Sequence, residues 1–185
     1  MPRPSLTFCI VAASSFAAFG ADRTSVSVSQ IYDRDLTSME RELVPLAEAM
    51  PADKYDFAPT GGEFKGVRTF GKQVSHVATV IYEVSASVLG VKSPIDPGEN
   101  ENGAASLRTK EQIVKYLKDA IAEGHKAMKS LTALNLTGLV KSAFGDEQVP
   151  RASMASVAVW HSFDHYGQMV VYARMNGIIP PASRR

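Results

Sequence analysis

Four histidines carry most of the chemistry this chain could do: His76, His125, His161 and His165. His161 and His165 are four residues apart, so on a helix both rings leave the same face, one turn above the other. Two imidazoles placed in this way can share one metal ion. Val157 and Ala158 before the pair, and Met169 and Tyr172 after it, put it on or near an apolar face. There, unpartnered imidazoles would leave costly unsatisfied nitrogens, and a shared ion would remove that cost. His76, between Val74 and Val77, is also placed to face inward. With the pair it completes three neutral nitrogen ligands, and three protein ligands with one open position is the arrangement of a catalytic zinc site. The competing reading is that each is an ordinary hydrogen-bonded core histidine. His125, flanked by Gly124 and Lys126, reads as a solvated surface residue outside the site.

Two glutamines lie at helical spacing from the histidines. Gln168 follows His165 by three residues, and Gln73 precedes His76 by three. Either can reach a ligating imidazole or a substrate, or serve as an interfacial polar group. Asp164 points about 100° away from its neighbour His165, and Glu83, two turns beyond His76, is too distant to share the same ion. Catalytic residues stay unassigned, because no general base accompanies the histidines. The sequence contains no Ser-His-Asp order, phosphate-cradling glycine loop or dinucleotide fingerprint.

Helices must position these residues. The apolar series Ile31, Leu36, Met39, Leu43, Leu46, Ala47 and Met50 predicts a first helix closed by Pro51, with a kink expected at Pro45. Residues 51–62 form a connector whose Tyr55 and Phe57 are expected to pack on the bundle. Phe64, Val67, Phe70, Val74, Val77, Ile81, Val84 and Val88 predict a second helix from Gly62 or Glu63 to Leu89, capped by Gly90. The Pro- and Gly-rich stretch 90–106 is long enough for a crossover. A third helix starts at Ser106 or Thr109, where Thr109 and Gln112 resemble a capping box, and ends near Leu131. After a connector at 132–150, a fourth runs from about Arg151 to Met175 and stops at Asn176-Gly177. No convincing strand is expected. The fold class is all-α, a four-helix bundle.

The chain has 185 residues, 45% hydrophobic and 21% charged, which suits one globular domain. Twenty Lys and Arg balance nineteen Asp and Glu, so nothing in the composition suggests a basic footprint for nucleic acid. Residues 1–20 read as a signal peptide: Arg3, an interrupted apolar stretch too short for a stable membrane span, and Ala18-Phe19-Gly20 before Ala21. The domain is then 21–185, exported to the periplasm or secreted. Cys9, the only cysteine, lies in the signal, leaving no disulfide and no thiolate ligand.

Several separated blocks resemble the DinB-like (YfiT-like) metalloenzyme superfamily. They are Ala49-Met50-Pro51, Lys54-Tyr55-Asp56-Phe57 with Pro59, Phe64 to Phe70 with Arg68, Gln73 to Ala78, and His161 to Gln168 followed by Tyr172, Arg174, Asn176-Gly177-Ile178 and Pro180-Pro181. The resemblance spans nearly all of residues 30–185. It implies a bundle of up-up-down-down type with long crossovers and a three-histidine site, matched by His76, His161 and His165. It also implies a divalent ion, zinc or nickel, and a hydrolase or thiol or group transferase acting on a small molecule. An exported copy departs from the cytosolic setting of that family and its low-molecular-weight thiols. The alternatives are a non-catalytic, stress-related bundle that binds metal or a small ligand, and a homodimer acting through its surface around a structural metal.

Export makes a direct prediction. Protein recovered from its native host should begin at or near Ala21 by intact-mass spectrometry, and recovery of residues 2–20 would overturn the signal assignment.

Overall fold

Thr109 shows how closely local chemistry dictates an element here. Its side chain accepts from the backbone N–H of Gln112, and the Gln112 side chain accepts from the backbone N–H of Thr109, so the expected capping box is formed. In the computed structural model, which describes residues 25–184, this box opens helix α3, Lys110–Lys129. Residues 1–20, expected from the sequence to be a signal peptide, lie outside the described residues. The other long helices are α1, Val28–Ala49, α2, Phe70–Leu89, and α4, Arg151–Met175. Gly90 ends α2 in the left-handed conformation (φ 70°), as a C-cap requires. A second capping box, Ser27 with Gln30, starts α1 ahead of the first expected apolar position, and Ile31 is exposed. Pro45 lies inside α1 without ending it.

The expected start of the second helix needs correction. Phe64 and Val67 continue the apolar spacing, yet both are exposed at 41% and 38%. Gly62 and Gly66 hold φ of 109° and 82°, incompatible with an α-helix. Thr69 provides the N-cap instead, its side chain accepting from Lys72 N–H. The connector at 132–150 also differs from expectation. It contains a short antiparallel hairpin, β1 Leu139–Lys141 and β2 Gln148–Pro150, in register Val140 opposite Val149. Three residues per strand are too few for an alternating pattern to stand out.

The four helices form the expected bundle. Helix α2 packs on α3 and α4, and α1 on the same two, so α1 and α2 occupy one diagonal. Contacts set the directions. Lys110 at the start of α3 donates to the carbonyl of Glu48 at the end of α1 (2.7 Å), and His125 near the end of α3 meets Asp33 near the start of α1, so this pair is antiparallel. Gly71 and Ile113, both near helix starts, approach each other, so α2 and α3 run parallel. Arg151 at the start of α4 donates to the Val88 carbonyl at the end of α2, so α2 and α4 are antiparallel. The order is therefore up-down-down-up, not up-up-down-down. A parallel pair of consecutive helices needs one long return, which residues 90–109 supply.

The core runs along the axis from Leu36, Met39, Leu43 and Leu46 to Phe70, Ile81, Leu117, Ile121, Met128 and Met169, all essentially inaccessible to solvent. The 51–69 connector is tied down as expected. Tyr55 is buried, donates to the Ala47 carbonyl (2.7 Å) and packs edge-on against Phe70, and Phe57 packs edge-on against Tyr172. His125 is not the solvated surface residue expected. Its side chain is only 20% exposed, with Nδ1 2.6 Å from Asp33 and Nε2 3.2 Å from Glu40, bridging α3 to α1.

Gly124 marks where α3 comes closest to its neighbours. A Cβ there would lie 2.9 Å from Leu36 Cδ2 and 3.3 Å from Ile81 Cγ2. Gly124→Val should therefore lower stability by about 2 kcal/mol through overpacking, read as a shifted urea midpoint.

Candidate metal centre

The antiparallel pairing of α2 and α4 brings His76 opposite His161 and His165. The pair leaves one face of α4 as its spacing requires, with ring centroids 4.6 Å apart. His76 lies 5.0 Å from His161 and 4.8 Å from His165, centroid to centroid. One ring nitrogen from each residue falls within 4.8 Å of the others. Among the described residues no Asp, Glu or Cys joins this group. His76 and His165 are buried and His161 is half-buried.

Surroundings keep the rings neutral. Burial lowers His161 to about 4, reinforced by the charges of His165 and His76. Burial likewise lowers His165 to about 4, helped by His76 and the Arg68 guanidinium. His76 is also lowered, first by burial, against the opposing pull of its hydrogen bond to Glu101. Neutral imidazole is the form that ligates a metal.

Hydrogen bonds orient two of the three. His76 Nδ1 donates to the Glu101 carbonyl at 3.0 Å, leaving Nε2 with its lone pair. His165 Nδ1 donates to the side-chain oxygen of Gln73. Gln73, which is buried, donates in turn to Gln168 (3.0 Å), and Gln168 to Asp164 (3.4 Å). Both glutamines selected from the sequence thus sit beside the histidines, Gln73 directly on His165 and Gln168 one step behind. Asp164, read as pointing away, ends this chain on the exposed side of α4. His161 Nδ1 is buried with no partner. Two oriented lone-pair donors beside one orphaned nitrogen, all neutral, are a donor set that suits a divalent transition ion.

Three contributors carry no signal in the sequence. Glu101, Asn100 and Asn102 belong to a turn far along the chain from any histidine. Asn100 and Glu101 both take left-handed φ, 53° and 57°, unusual away from glycine. Arg68 clamps this turn, donating to the Asn100 carbonyl (2.9 Å) and the Asn102 side chain (2.8 Å). The turn in turn presents the Glu101 carbonyl to His76. Between the turn and α4 opens a cleft of about 500 Å³ with His165 in its wall.

Comparison with known proteins bears on the family and the fold. The family model of the DinB superfamily matches residues 35–169. The chain belongs to the DinB superfamily. None of the curated proteins compared matches it. Among solved structures, this DinB-superfamily chain is similar to a DinB-like protein of Bacillus cereus (17% identity, TM-score 0.63), covering 81% of this chain and 93% of that one. A DinB-like protein of Bacillus subtilis is 18% identical, with TM-score 0.62 and coverage of 84% and 99%. YfiT of Bacillus subtilis, described as "a probable metal-dependent hydrolase with an unusual four-helix bundle topology", is 16% identical, with TM-score 0.57 and coverage of 84% and 93%. At these identities the likeness establishes the shared fold.

Burial of neutral imidazoles fixes the sign of a pH effect. The unfolded chain takes up protons on His161 and His165 near 6.5, whereas the folded chain does so only near 4. The metal-free protein should therefore lose stability as pH falls from about 6.5 to about 4, with little further loss from these groups below that. Urea unfolding across this range checks it, and His161→Ala/His165→Ala should flatten the dependence.

Proposed function

We propose that this DinB-superfamily protein is a divalent-metal-dependent enzyme acting on a small molecule, with His76, His161 and His165 as the ligands and zinc or nickel as the ion. The observation that carries this reading is the convergence of three neutral imidazoles beside a cleft, with no fourth Asp, Glu or Cys among the described residues closing the group. A structural site is closed by four protein ligands, whereas a catalytic one keeps a position open. When bound, the ion supplies Lewis acidity toward a substrate oxygen or toward a nucleophile entering the open position.

The chain's own residues do the rest. Gln73 and the Glu101 carbonyl fix the ring orientations of His165 and His76, so the donor atoms are held before any ion arrives. On α2 and α4 the residues at helical spacing from the histidines, Val157, Ala158 and Met169, and Val77 next to His76, are buried in the core. No carboxylate lines the cleft. Carboxylates stand one step behind the lining, Glu101 3.9 Å from His76 Nδ1 and Asp164 accepting from Gln168 at 3.4 Å, and this setting is compatible with hydrolysis or group transfer. The description of YfiT as metal-dependent supports the same reading.

Bound metal per chain, measured after gel filtration, tests the assignment. Wild type should carry one equivalent of divalent ion, and His76→Ala, His161→Ala and His165→Ala should each lose most of it while staying helical. His125→Ala, which removes a bridge between α1 and α3, should lower stability yet keep the metal. Retention should also fall as pH drops toward about 4, where His161 and His165 take up protons, since each ligand must be deprotonated. A wild type that binds no divalent ion would overturn the proposal.

A further inference from the structure

The cleft beside the histidines is lined by two cations and no acid. Arg68 and Lys72 stand in its wall with Gln73, Asn102, His165 and Gln168. Neither cation has a carboxylate within 4.0 Å among the described residues. Arg68 spends two of its N–H groups on neutral acceptors, the Asn100 carbonyl and the Asn102 side chain, so its charge is not compensated. Lys72 is exposed in the first turn of α2, and its side chain makes no hydrogen bond in the structure.

The backbone of that first turn contributes no bare donors. Phe70 N–H goes to the Phe57 carbonyl (2.9 Å), Gly71 N–H to the Tyr55 carbonyl (2.8 Å) and Lys72 N–H to the Thr69 hydroxyl (3.3 Å). Positive charge in the cleft therefore comes from the two side chains. Arg68 has a structural task, holding the turn that carries Glu101. Lys72 has none. Two uncompensated cations in a cleft that also opens on a metal site favour a ligand with negative charge.

We propose that the substrate of the three-histidine site carries an anionic oxygen group, a carboxylate or a phosphoryl, seated on Lys72 and the guanidinium of Arg68. This rests on the metal-centre reading and adds the substrate class to it. Lys72 is the specificity residue, and Arg68 serves both the anion and the turn. Arginine and lysine are the side chains suited to such groups, through forked hydrogen bonds and point charge respectively.

Calorimetric titration of the full chain with inorganic phosphate, acetate and neutral acetamide tests it, on metal-loaded and metal-stripped protein. The metal-loaded wild type should bind at least one of the two anions and not acetamide, more weakly as salt is raised. Whichever anion binds tighter identifies the group as phosphoryl or carboxylate. Lys72→Gln should weaken that binding about tenfold, the loss of one charge-assisted hydrogen bond. Its metal content and melting temperature should not move, and Lys72→Arg should restore binding. Equal binding by Lys72→Gln and wild type would overturn the proposal, as would equal binding of acetamide, or no binding of either anion at millimolar concentration. The two readings fail separately. If wild type holds no metal, the metal centre falls, but phosphate or acetate binding to the metal-free chain that Lys72→Gln removes would still support the anion site, and its absence would end it.

Discussion

Three imidazoles held together, two buried and one half-buried, are the constraint around which the rest of this protein is arranged. Burial makes their protonated forms unfavourable, so the folded state commits them to being neutral. Neutral imidazole still has a donor and an acceptor to satisfy. The fold answers for two rings with the Glu101 carbonyl and the Gln73 side chain, and leaves His161 Nδ1 without a partner. A site with oriented lone pairs and one unsatisfied nitrogen is preorganised for an ion rather than for a closed hydrogen-bond network.

Topology then explains why the turn at residues 99–102 lies where it does. Helices α2 and α3 are consecutive yet parallel, so the chain must return the full length of the bundle between them. That return passes the start of α2, close to His76. It carries two left-handed non-glycine residues, a conformation that persists only where the surroundings impose it. Arg68 imposes it from the segment before α2, and Tyr172 on α4 holds the Arg68 carbonyl in turn (3.3 Å). A connection required by helix direction thus also supplies an acceptor to one histidine and a wall to the cleft.

The α1–α3 face is stabilised by different means. His125 bridges two carboxylates there, and Gly124 lets α3 approach Leu36 and Ile81. One bundle therefore uses histidine in two ways. On α2 and α4 the rings face one another, with the Glu101 carboxylate 3.9 Å from His76 Nδ1, and on α3 the ring lies between Asp33 and Glu40 at 2.6 and 3.2 Å. Mutual packing of the rings, not residue type, separates the candidate ligands from the structural bridge.

Features set by neighbours in sequence were legible without the structure. The shared face of His161 and His165 follows from helical pitch, the capping box at Thr109 and Gln112 from first-turn hydrogen bonding, and the Gly90 stop from the freedom of glycine at positive φ. The false extension of α2 through Phe64 and Val67 shows the limit of that logic, since apolar spacing continued while Gly62 and Gly66 had already broken the helix. Everything that depends on which helices meet was decided by tertiary packing. Helix directions, the closeness of His76 to the α4 pair, the ion-paired setting of His125, and the roles of Arg68 and Glu101 all arise from contacts across many residues. Such contacts are selected by the burial of whole apolar faces against one another, and no local spacing rule encodes which faces those will be.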